Sequence, residues 1–198
     1  MSRIGLPEWA VRLAYKFLDV EKHSPTVDER VLEYSYAIVK LSKLEPGNLL
    51  DVGCVARMNL IPVVACELGW KVWGIDIRPY YYTHPNFTFV KGSILSSKFP
   101  VKFFDAITAI STIEHIGIRG RYGLSENVVV GDLDTFNQVR GVLKKGGRFI
   151  LTVPFGGAYR VNTLGRTYDW SRLEELCKRW KTIDKRIVGN LAMLELEK

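Results

Sequence analysis

Two acidic residues at the ends of short apolar runs are the positions in this sequence best suited to chemistry. Asp51 and Gly53 close a run that begins at Asn48, and Asp76 closes the run 71–76. A glycine at such a point lets the backbone approach a ligand closely. The spacing from Gly53 to Asp76 is typical of a carboxylate that binds both ribose hydroxyls of a nucleoside. These residues predict a nucleoside cofactor, and the alternative is that both acids are solvated ends of strands.

The segment after Gly53 indicates which nucleoside cofactor the site could accept. A dinucleotide needs the pattern Gly-x-Gly-x-x-Gly, which brings its pyrophosphate onto the N-terminus of a helix. The segment from Gly53 to Asn59 contains only the first of these glycines. The sequence therefore disfavours NAD.

The rest of the chain supplies elements that can bring these strand ends together. Strand-like and helix-like segments alternate, which predicts a parallel sheet with helices on both faces. Ligands of such sheets bind at the carboxyl ends of the strands, where the strand order reverses. We predict helices within 1–45 and at 62–68, 132–143 and 171–179, strands at 48–53, 71–76, 87–90, 104–110 and 148–153, and a hairpin of 182–188 with 191–196 that turns at Gly189-Asn190.

The overall composition is typical of a soluble globular protein. Of the 198 residues, 47% are apolar and 25% are charged. No apolar run approaches the ~18 residues of a membrane span, and the N-terminus lacks the apolar core of a signal peptide. Three widely spaced cysteines indicate neither a disulfide framework nor a zinc cluster. We therefore expect a single cytoplasmic domain, residues 1–198, in which the helices of residues 1–45 pack on or cap the core.

Four segments, taken in order, resemble motifs of the class I S-adenosylmethionine-dependent methyltransferases. Segment 49–54 resembles the first motif, and segment 72–76 resembles the second. Segment 104–107, together with Glu114-His115, resembles the fourth motif, and segment 142–149 resembles the helix–turn–strand before strand five. The resemblance runs from about residue 28 to the end of the sequence. It implies a three-layer, Rossmann-like α/β fold with a doubly wound sheet of seven strands. The implied strand order is 3-2-1-4-5-7-6, and the last hairpin is antiparallel.

The same resemblance implies that S-adenosylmethionine is the cofactor and that it binds at the strand ends. The sequence departs from the family at Val55 and Arg57, which replace later glycines of the first motif. It also departs at Ser93, where the family usually offers an acid to the adenine amino group. The residues expected to bind the cofactor are Asp51, Gly53, Cys54, Asp76, Ile77, Ser93, Ile94 and Ser111.

Glu114 and His115 follow the fourth predicted strand, at the edge of the sheet where a methyl acceptor would lie. A histidine imidazole titrates near neutral pH, so His115 is a candidate general base, with Glu114 as its catalytic partner. The alternative is that the pair makes only structural hydrogen bonds. We expect no metal here, because the pair offers two ligands and the sequence shows no third.

Two long, glycine-rich segments, 117–131 and 155–168, are expected to form the acceptor site. Their arginines suit a phosphorylated or carboxylated acceptor, so we expect an anionic small molecule or a saccharide or lipid precursor. Methylation of DNA bases is not favoured, because 111–114 lacks the Asp/Asn-Pro-Pro-aromatic motif that holds a flipped base. The residues expected to bind the acceptor are Arg121, Tyr122, Arg166 and Tyr168.

The charge of the chain leaves a second function open. The net charge is +7, which permits an anionic partner, although no basic run is dense enough to indicate nucleic acid. Most of the excess of basic residues lies in 101–198. The alternative to an enzyme is a module that keeps the fold without catalysis and binds a partner or nucleic acid through this basic half.

Overall fold

The computed structural model of the protein describes residues 29–55, 60–118 and 131–198. Within these ranges the chain forms a seven-stranded sheet and a separate two-stranded one. The strands of the large sheet are β1 (Asn48–Val52), β2 (Lys71–Asp76), β3 (Phe87–Lys91), β4 (Phe104–Ile110), β5 (Leu143–Pro154), β8 (Lys181–Val188) and β9 (Leu191–Glu197), whereas β6 (Arg160–Val161) pairs with β7 (Arg166–Thr167) in the small sheet.

The strands of the large sheet are arranged in the order β3-β2-β1-β4-β5-β9-β8. The neighbours among β1 to β5 run parallel, and β9 runs antiparallel to both β5 and β8. When the small hairpin is left out of the numbering, this is the predicted order 3-2-1-4-5-7-6 with an antiparallel last hairpin. The predicted turn at Gly189-Asn190 also forms, and it joins β8 to β9.

Helices cover both faces of this sheet in the described residues: α1 (Glu29–Leu41), α2 (Leu60–Glu67), α3 (Gly131–Val142) and α4 (Trp170–Cys177). The helices α1 and α2 share a buried cluster with Leu49, whereas α3 and α4 share another with Leu50. Consecutive residues of a strand point to opposite faces, so the central strands are buried on both sides. The predicted three-layer, Rossmann-like α/β fold is confirmed. None of the described helices is long and apolar enough to cross a membrane.

The junction between α3 and β5 differs from the prediction. We expected a turn between the helix at 132–143 and the strand at 148–153, but α3 ends at Val142 and β5 begins at once. Leu143 pairs with Phe104, and the register then shifts before the regular ladder resumes, so the chain enters the sheet through an irregularity. Gly146 has a φ of 76°, which favours glycine. The two glycines therefore shape a bend within the strand.

The β6–β7 hairpin and the burial pattern of α1 were not predicted from the sequence. The β6–β7 hairpin lies in a segment that we expected to be a loop. In α1, the apolar side chain of Val31 is exposed while that of Glu33 is buried. Residues 1–28 of the segment in which we predicted helices lie outside the described residues.

Candidate functional site

A cleft of about 230 Å³ opens at the carboxyl ends of β1, β2 and β4. The strand order reverses between β1 and β4, which is the point where ligands bind in sheets of this kind. The structure thus brings together many of the residues that the sequence analysis selected. Those that line the cleft are Gly53, Asp76, Ile77, Ser93, Ile94, Ser111 and His115.

Within the part of the chain that the structure describes, four hydrogen bonds hold the carboxylate of Asp76. Its Oδ1 accepts from the backbone amide of Arg78 at 2.9 Å and from Nε of Arg78 at 3.0 Å. Its Oδ2 accepts from the backbone amide of Val55 at 3.0 Å and from Nη2 of Arg78 at 2.9 Å. The Arg78 guanidinium also donates to the Val55 carbonyl. Asp76 and Arg78 together therefore tie the end of β2 to the loop after β1.

Asp51 lies behind the cleft and does not line it. It is 4% exposed, and its Oδ1 accepts a hydrogen bond of 2.7 Å from the hydroxyl of Thr108 on β4. Burial raises the pKa of Asp51 to about 7; the negative charge of Asp76 adds to this effect, and the Thr108 hydrogen bond opposes it. In this structure Asp51 supports the wall of the cleft, whereas we expected it to contact the cofactor.

Cys54 is also buried behind the cleft wall. Its sulfur packs against Gly74 of β2, where a β-carbon would come within 2.7 Å of Sγ. Burial raises the pKa of the Cys54 thiol, and the nearby charges of Asp51 and Asp76 add to this effect. Cys54, which we expected to bind the cofactor, therefore packs between β1 and β2 and does not line the cleft.

Gly53 has two reasons to be glycine. Its φ of 78° lies in the left-handed region, and a β-carbon at this position would overlap the side chain of Thr112. Thr112 itself lines the cleft. Of the two positions that depart from the family motif in this loop, Val55 uses its backbone amide to bind Asp76, and Arg57 lies outside the described residues.

The side of the cleft beyond β3 is formed by small and apolar residues. The hydroxyl of Ser93 accepts a hydrogen bond of 3.2 Å from the amide of Leu95 and so caps the short helical turn 94–96. Ile94 is buried, and Ile77 is partly exposed. Among the described residues, no atom other than those of its chain neighbours lies within 4 Å of the position that a β-carbon would take at Gly92. This part of the wall therefore has open space beside an apolar surface.

Arg30 and Glu33 of α1 belong to the site, although the sequence analysis missed both. Arg30 lines the cleft and donates to Oε2 of Glu33 at 2.9 Å. Oε1 of Glu33 accepts from the hydroxyls of Ser111 and, at 2.7 Å, of Thr152. The available signal is periodicity, because Glu33 lies four residues before Ala37, on the buried face of α1.

Ser111 has an unusual backbone conformation at the border of the cleft. Its φ is 42°, which is uncommon for a residue with a side chain. The hydroxyl of Thr152 accepts a 3.0 Å hydrogen bond from the Ser111 amide, and Glu33 accepts one from the Ser111 hydroxyl. These contacts hold a strained residue in place, and such strain is concentrated at functional sites.

His115 lines the cleft from the short helical turn 113–115 that follows β4. Its Nε2 lies 3.5 Å from Oε1 of Glu114, whose side chain is buried and does not line the cleft. On another side, a β-carbon at Gly165 would come within 2.9 Å of Nδ1 of His115. The imidazole is thus held at the border of the cleft, while Glu114 is placed to orient it. Within 29–55, 60–118 and 131–198, no group of three or more His, Cys, Asp or Glu side chains is arranged to hold a metal ion.

Arg166 and Tyr168, which we expected to bind an acceptor, lie away from the cleft. Both side chains are buried, and neither lines the cleft. Arg166 donates to the carbonyl oxygen of Ile116 at 2.6 Å, so its guanidinium supports the segment after β4. Burial raises the pKa of Tyr168 far above its ordinary value. The other two expected residues, Arg121 and Tyr122, lie outside the described residues.

A buried ion pair fixes the helices on this side of the sheet. Asp132, at the start of α3, accepts hydrogen bonds from Nη2 of Arg172 at 2.6 Å and from Nε at 3.1 Å. Arg166 approaches the same carboxylate at 3.9 Å. The arrangement joins α3 to α4 and explains why Arg166 is buried, since a buried charge needs partners.

Solved structures share this fold at low sequence identity. The 1,6-didemethyltoxoflavin-N1-methyltransferase of Burkholderia thailandensis, solved with 1,6-didemethyltoxoflavin and S-adenosylhomocysteine, has a TM-score of 0.62 at 16% identity, over 100% of this chain and 92% of that one. Phosphoethanolamine N-methyltransferase 2 of Haemonchus contortus, solved with phosphomonomethylethanolamine and S-adenosylhomocysteine, has a TM-score of 0.57 at 18% identity, over 88% and 42%. The cyclase SpnF has a TM-score of 0.64 at 16% identity, over 90% and 84%.

Comparisons of the sequence itself say less about this chain. A family model described as Caenorhabditis protein of unknown function, DUF268, matches residues 93–188. None of the curated proteins matches the chain in sequence. The structural likenesses establish that the chain has the fold of the class I S-adenosylmethionine-dependent methyltransferases.

Proposed function

We propose that this protein binds S-adenosylmethionine in the cleft and transfers its methyl group to an anionic small molecule, such as a saccharide or lipid precursor. The observation that carries the proposal is the carboxylate of Asp76 at the end of β2, in a cleft at the point where the strand order reverses. Two proteins of the same fold were solved with S-adenosylhomocysteine, which supports the choice of cofactor.

The residues of the cleft fit the adenosine half of this cofactor. Asp76 offers a carboxylate that can accept from the two ribose hydroxyls. Ile77 and Ile94 supply apolar surface for the adenine ring, and the open space beside Gly92 leaves room for it. Ser93 can offer its hydroxyl to the adenine edge, although this oxygen already accepts from Leu95.

The amino-acid half of the cofactor would meet a different set of groups. Gly53 and Ser111 border the cleft where β1 and β4 end, and Thr112 fills the space directly over Gly53. Arg30 reaches this part of the molecule from α1 with a side chain that is 46% exposed. A guanidinium is suited to a carboxylate, so we assign Arg30 to the carboxylate end of the cofactor.

His115 is the group of the cleft that can accept a proton from the acceptor. When bound, S-adenosylmethionine supplies a methyl group on a sulfonium, which is activated for in-line displacement. Such a displacement depends mainly on positioning, and a base is needed only where the acceptor must lose a proton. His115 would supply that base through Nδ1, on the side of Gly165, because its Nε2 lies 3.5 Å from Glu114, which would orient the imidazole.

The class of acceptor is suggested by the cations in the sequence segments that follow β4 and β5. The β6–β7 hairpin, whose Gly165 packs against His115, carries Arg160 with an exposed side chain. A guanidinium of this kind suits an acceptor with a phosphate or carboxylate, and we propose the same role for Arg121, with Tyr122, from their sequence segment alone. The two methyltransferases described above were solved with different small molecules, so the fold alone does not select an acceptor.

The ion pairs on the basic half of the molecule do not favour the alternative of a non-catalytic nucleic-acid-binding module. Three of its described cations are paired with carboxylates of the fold, two of them with the same carboxylate, so these cations are less available to a phosphate backbone. The pairs are Lys181 with Glu197 at 3.2 Å, Arg186 with Asp184 at 3.1 Å, and Arg148 with Glu197 at 2.5 Å.

Isothermal titration calorimetry with S-adenosylmethionine and S-adenosylhomocysteine tests the proposal. We expect both to bind, and we expect Asp76→Ala to weaken binding by about 1.5–3 kcal/mol, because hydrogen bonds to a charged group are lost. Asp134→Ala, which removes an exposed acid of α3, is the matched control and should leave binding unchanged. If the folded wild-type protein binds neither ligand at millimolar concentration, the proposal is wrong.

A further inference from the structure

We infer that Arg78 competes with the ribose of the cofactor for Asp76, so that this arginine sets the affinity of the nucleoside site. The inference rests on the proposed function, because it takes Asp76 as the ribose-binding group. It assigns to Arg78 a role that opposes binding, even though its side chain lies in the wall of the cleft.

The acceptor capacity of the Asp76 carboxylate is filled in this structure. A carboxylate offers about four lone-pair positions, two on each oxygen. The backbone amides of Val55 and Arg78 take two of them, and Nε and Nη2 of Arg78 take the other two. A ribose with both hydroxyls donating needs two free positions. It therefore has to displace two of the present donors.

The guanidinium is the donor that can leave. The two amides belong to backbone that is tied to the ends of β1 and β2, so they move only with the loop. The Arg78 side chain is 41% exposed, whereas that of Asp76 is 4% exposed, so the guanidinium can move into water while the carboxylate stays in place. Its departure would also enlarge the cleft, which at about 230 Å³ lies below the ~300–1,000 Å³ that is usual for small-molecule sites.

Arg78 also has a role in the protein without ligand. A nearly buried carboxylate is costly without a positive or hydrogen-bonding partner, and the guanidinium supplies both. By donating to the Val55 carbonyl, the same group closes the loop after β1. The closed arrangement and the ribose-bound arrangement thus exclude each other. The apparent affinity for the nucleoside is therefore the intrinsic affinity multiplied by the fraction of molecules that are open.

Calorimetry on Arg78→Met, with adenosine and S-adenosylhomocysteine as ligands, tests this competition. We expect the variant to bind both ligands about three- to tenfold more tightly than the wild type, because the ribose no longer displaces an ion pair. Arg186→Met is the matched control, since Arg186 forms an ion pair with Asp184 at the same sequence spacing and lies outside the cleft lining. Its affinities should equal those of the wild type. Unchanged or weaker binding by folded Arg78→Met would overturn the inference.

A salt titration of the wild-type protein decides the question if the variant fails to fold. Adenosine is neutral, so salt acts on its binding mainly through the ion pair that it displaces. We expect its affinity to rise about twofold between about 0.05 M and 0.5 M potassium chloride. An affinity that stays constant or falls contradicts the competition. If neither S-adenosylmethionine nor S-adenosylhomocysteine binds to any of the proteins, the proposed function itself has failed.

Discussion

At the scale of single residues, Asp51 and Asp76 show how two acids at equivalent strand ends take different roles. Asp76 lines the cleft and is held by donors from Arg78 and Val55. Asp51 faces Thr108 in the sheet, and burial raises its pKa to about 7. The difference follows from their positions along the strands, because Asp51 lies within β1, opposite Thr108 of β4, whereas Asp76 is the last residue of β2.

The pKa of Asp51 predicts how stability depends on pH. The folded-state value of about 7 lies above the ordinary 3.8, so the folded protein keeps a proton that the unfolded chain releases. The resulting stabilisation is complete below about pH 4 and is lost as the pH rises through about 7, at a cost of up to roughly 4 kcal/mol. Asp51→Asn cannot lose this proton, so urea unfolding at intervals between pH 4 and 8 should show a smaller decline for the variant. A parallel decline in both proteins would contradict the expectation.

His115→Gln separates a catalytic role from a structural one. The variant keeps a hydrogen-bonding side chain but cannot serve as a general base, so methyl transfer should fall by about 10²–10⁴-fold. The affinity for S-adenosylmethionine should stay within about twofold, because the cofactor residues are unchanged. Transfer of label from S-adenosylmethionine to acceptors in a cell extract, together with calorimetry, measures both quantities. A variant that transfers label at the wild-type rate shows that His115 is not the base.

At the scale of elements, α1 is attached to the sheet at two points along its length. Near its start, Glu33 accepts hydrogen bonds from Ser111, next to β4, and from Thr152 of β5. Near its end, Lys40 forms ion pairs with Asp184 of β8 at 2.6 Å and Glu195 of β9 at 2.9 Å. The helix therefore connects the cleft to the far edge of the sheet.

Glu33→Ala tests the first of these attachments. It leaves the buried Thr152 hydroxyl and the partly buried Ser111 hydroxyl without the carboxylate that both donate to, so we expect the free energy of unfolding to fall by about 1–3 kcal/mol. Glu67→Ala is the control, because the Glu67 side chain is 74% exposed, and its effect should stay within about 0.5 kcal/mol. Urea denaturation followed by circular dichroism measures both. Equal stability of the two variants would show that the Glu33 contacts contribute little.

Elements with strong local patterns could be predicted from the sequence. The central strands are apolar runs that end in polar residues, and the β8–β9 hairpin is marked by Gly189-Asn190. The β6–β7 hairpin was missed because its strands have two residues each, too few for a periodic pattern. Its turn is instead marked by Asn162, whose side chain accepts from the amides of Leu164 and Gly165.

The composition of the site could be predicted only in part, for a related reason. Asp76 could be selected from the sequence, because its place at the end of a strand is a local property of the sequence. Burial of Glu33 and Arg166 depends on partners distant in sequence, namely Thr152 and the carbonyl of Ile116, and no local pattern reveals such partners. The same holds for Arg78, whose interaction with the Val55 carbonyl joins two loops.

At the scale of the whole molecule, the sheet is completed by its last hairpin. β9 lies between β5 and β8, and its residues from Leu191 to Leu196 are buried. A chain that ends at Arg179 lacks both strands, which exposes the edge of β5 and an apolar surface. We expect this chain to be insoluble or to melt without a cooperative transition in calorimetry. Leu194→Ala keeps the hairpin and should cost about 2–5 kcal/mol. A truncated chain with an unchanged melting temperature would contradict this expectation.

The place of β9 also bears on the order in which the molecule is assembled during translation. Of the described strands, β9 is the last to leave the ribosome, yet it is an interior strand, whereas β8 is made earlier and lies at the edge. The parallel strands can pair while synthesis continues, but β8 has no neighbour in the sheet until the chain has turned back at Gly189-Asn190. Closure of the sheet is therefore one late event in which the hairpin docks onto β5. Until then, a nascent chain presents the open edge of β5, which is the kind of surface that chaperones bind.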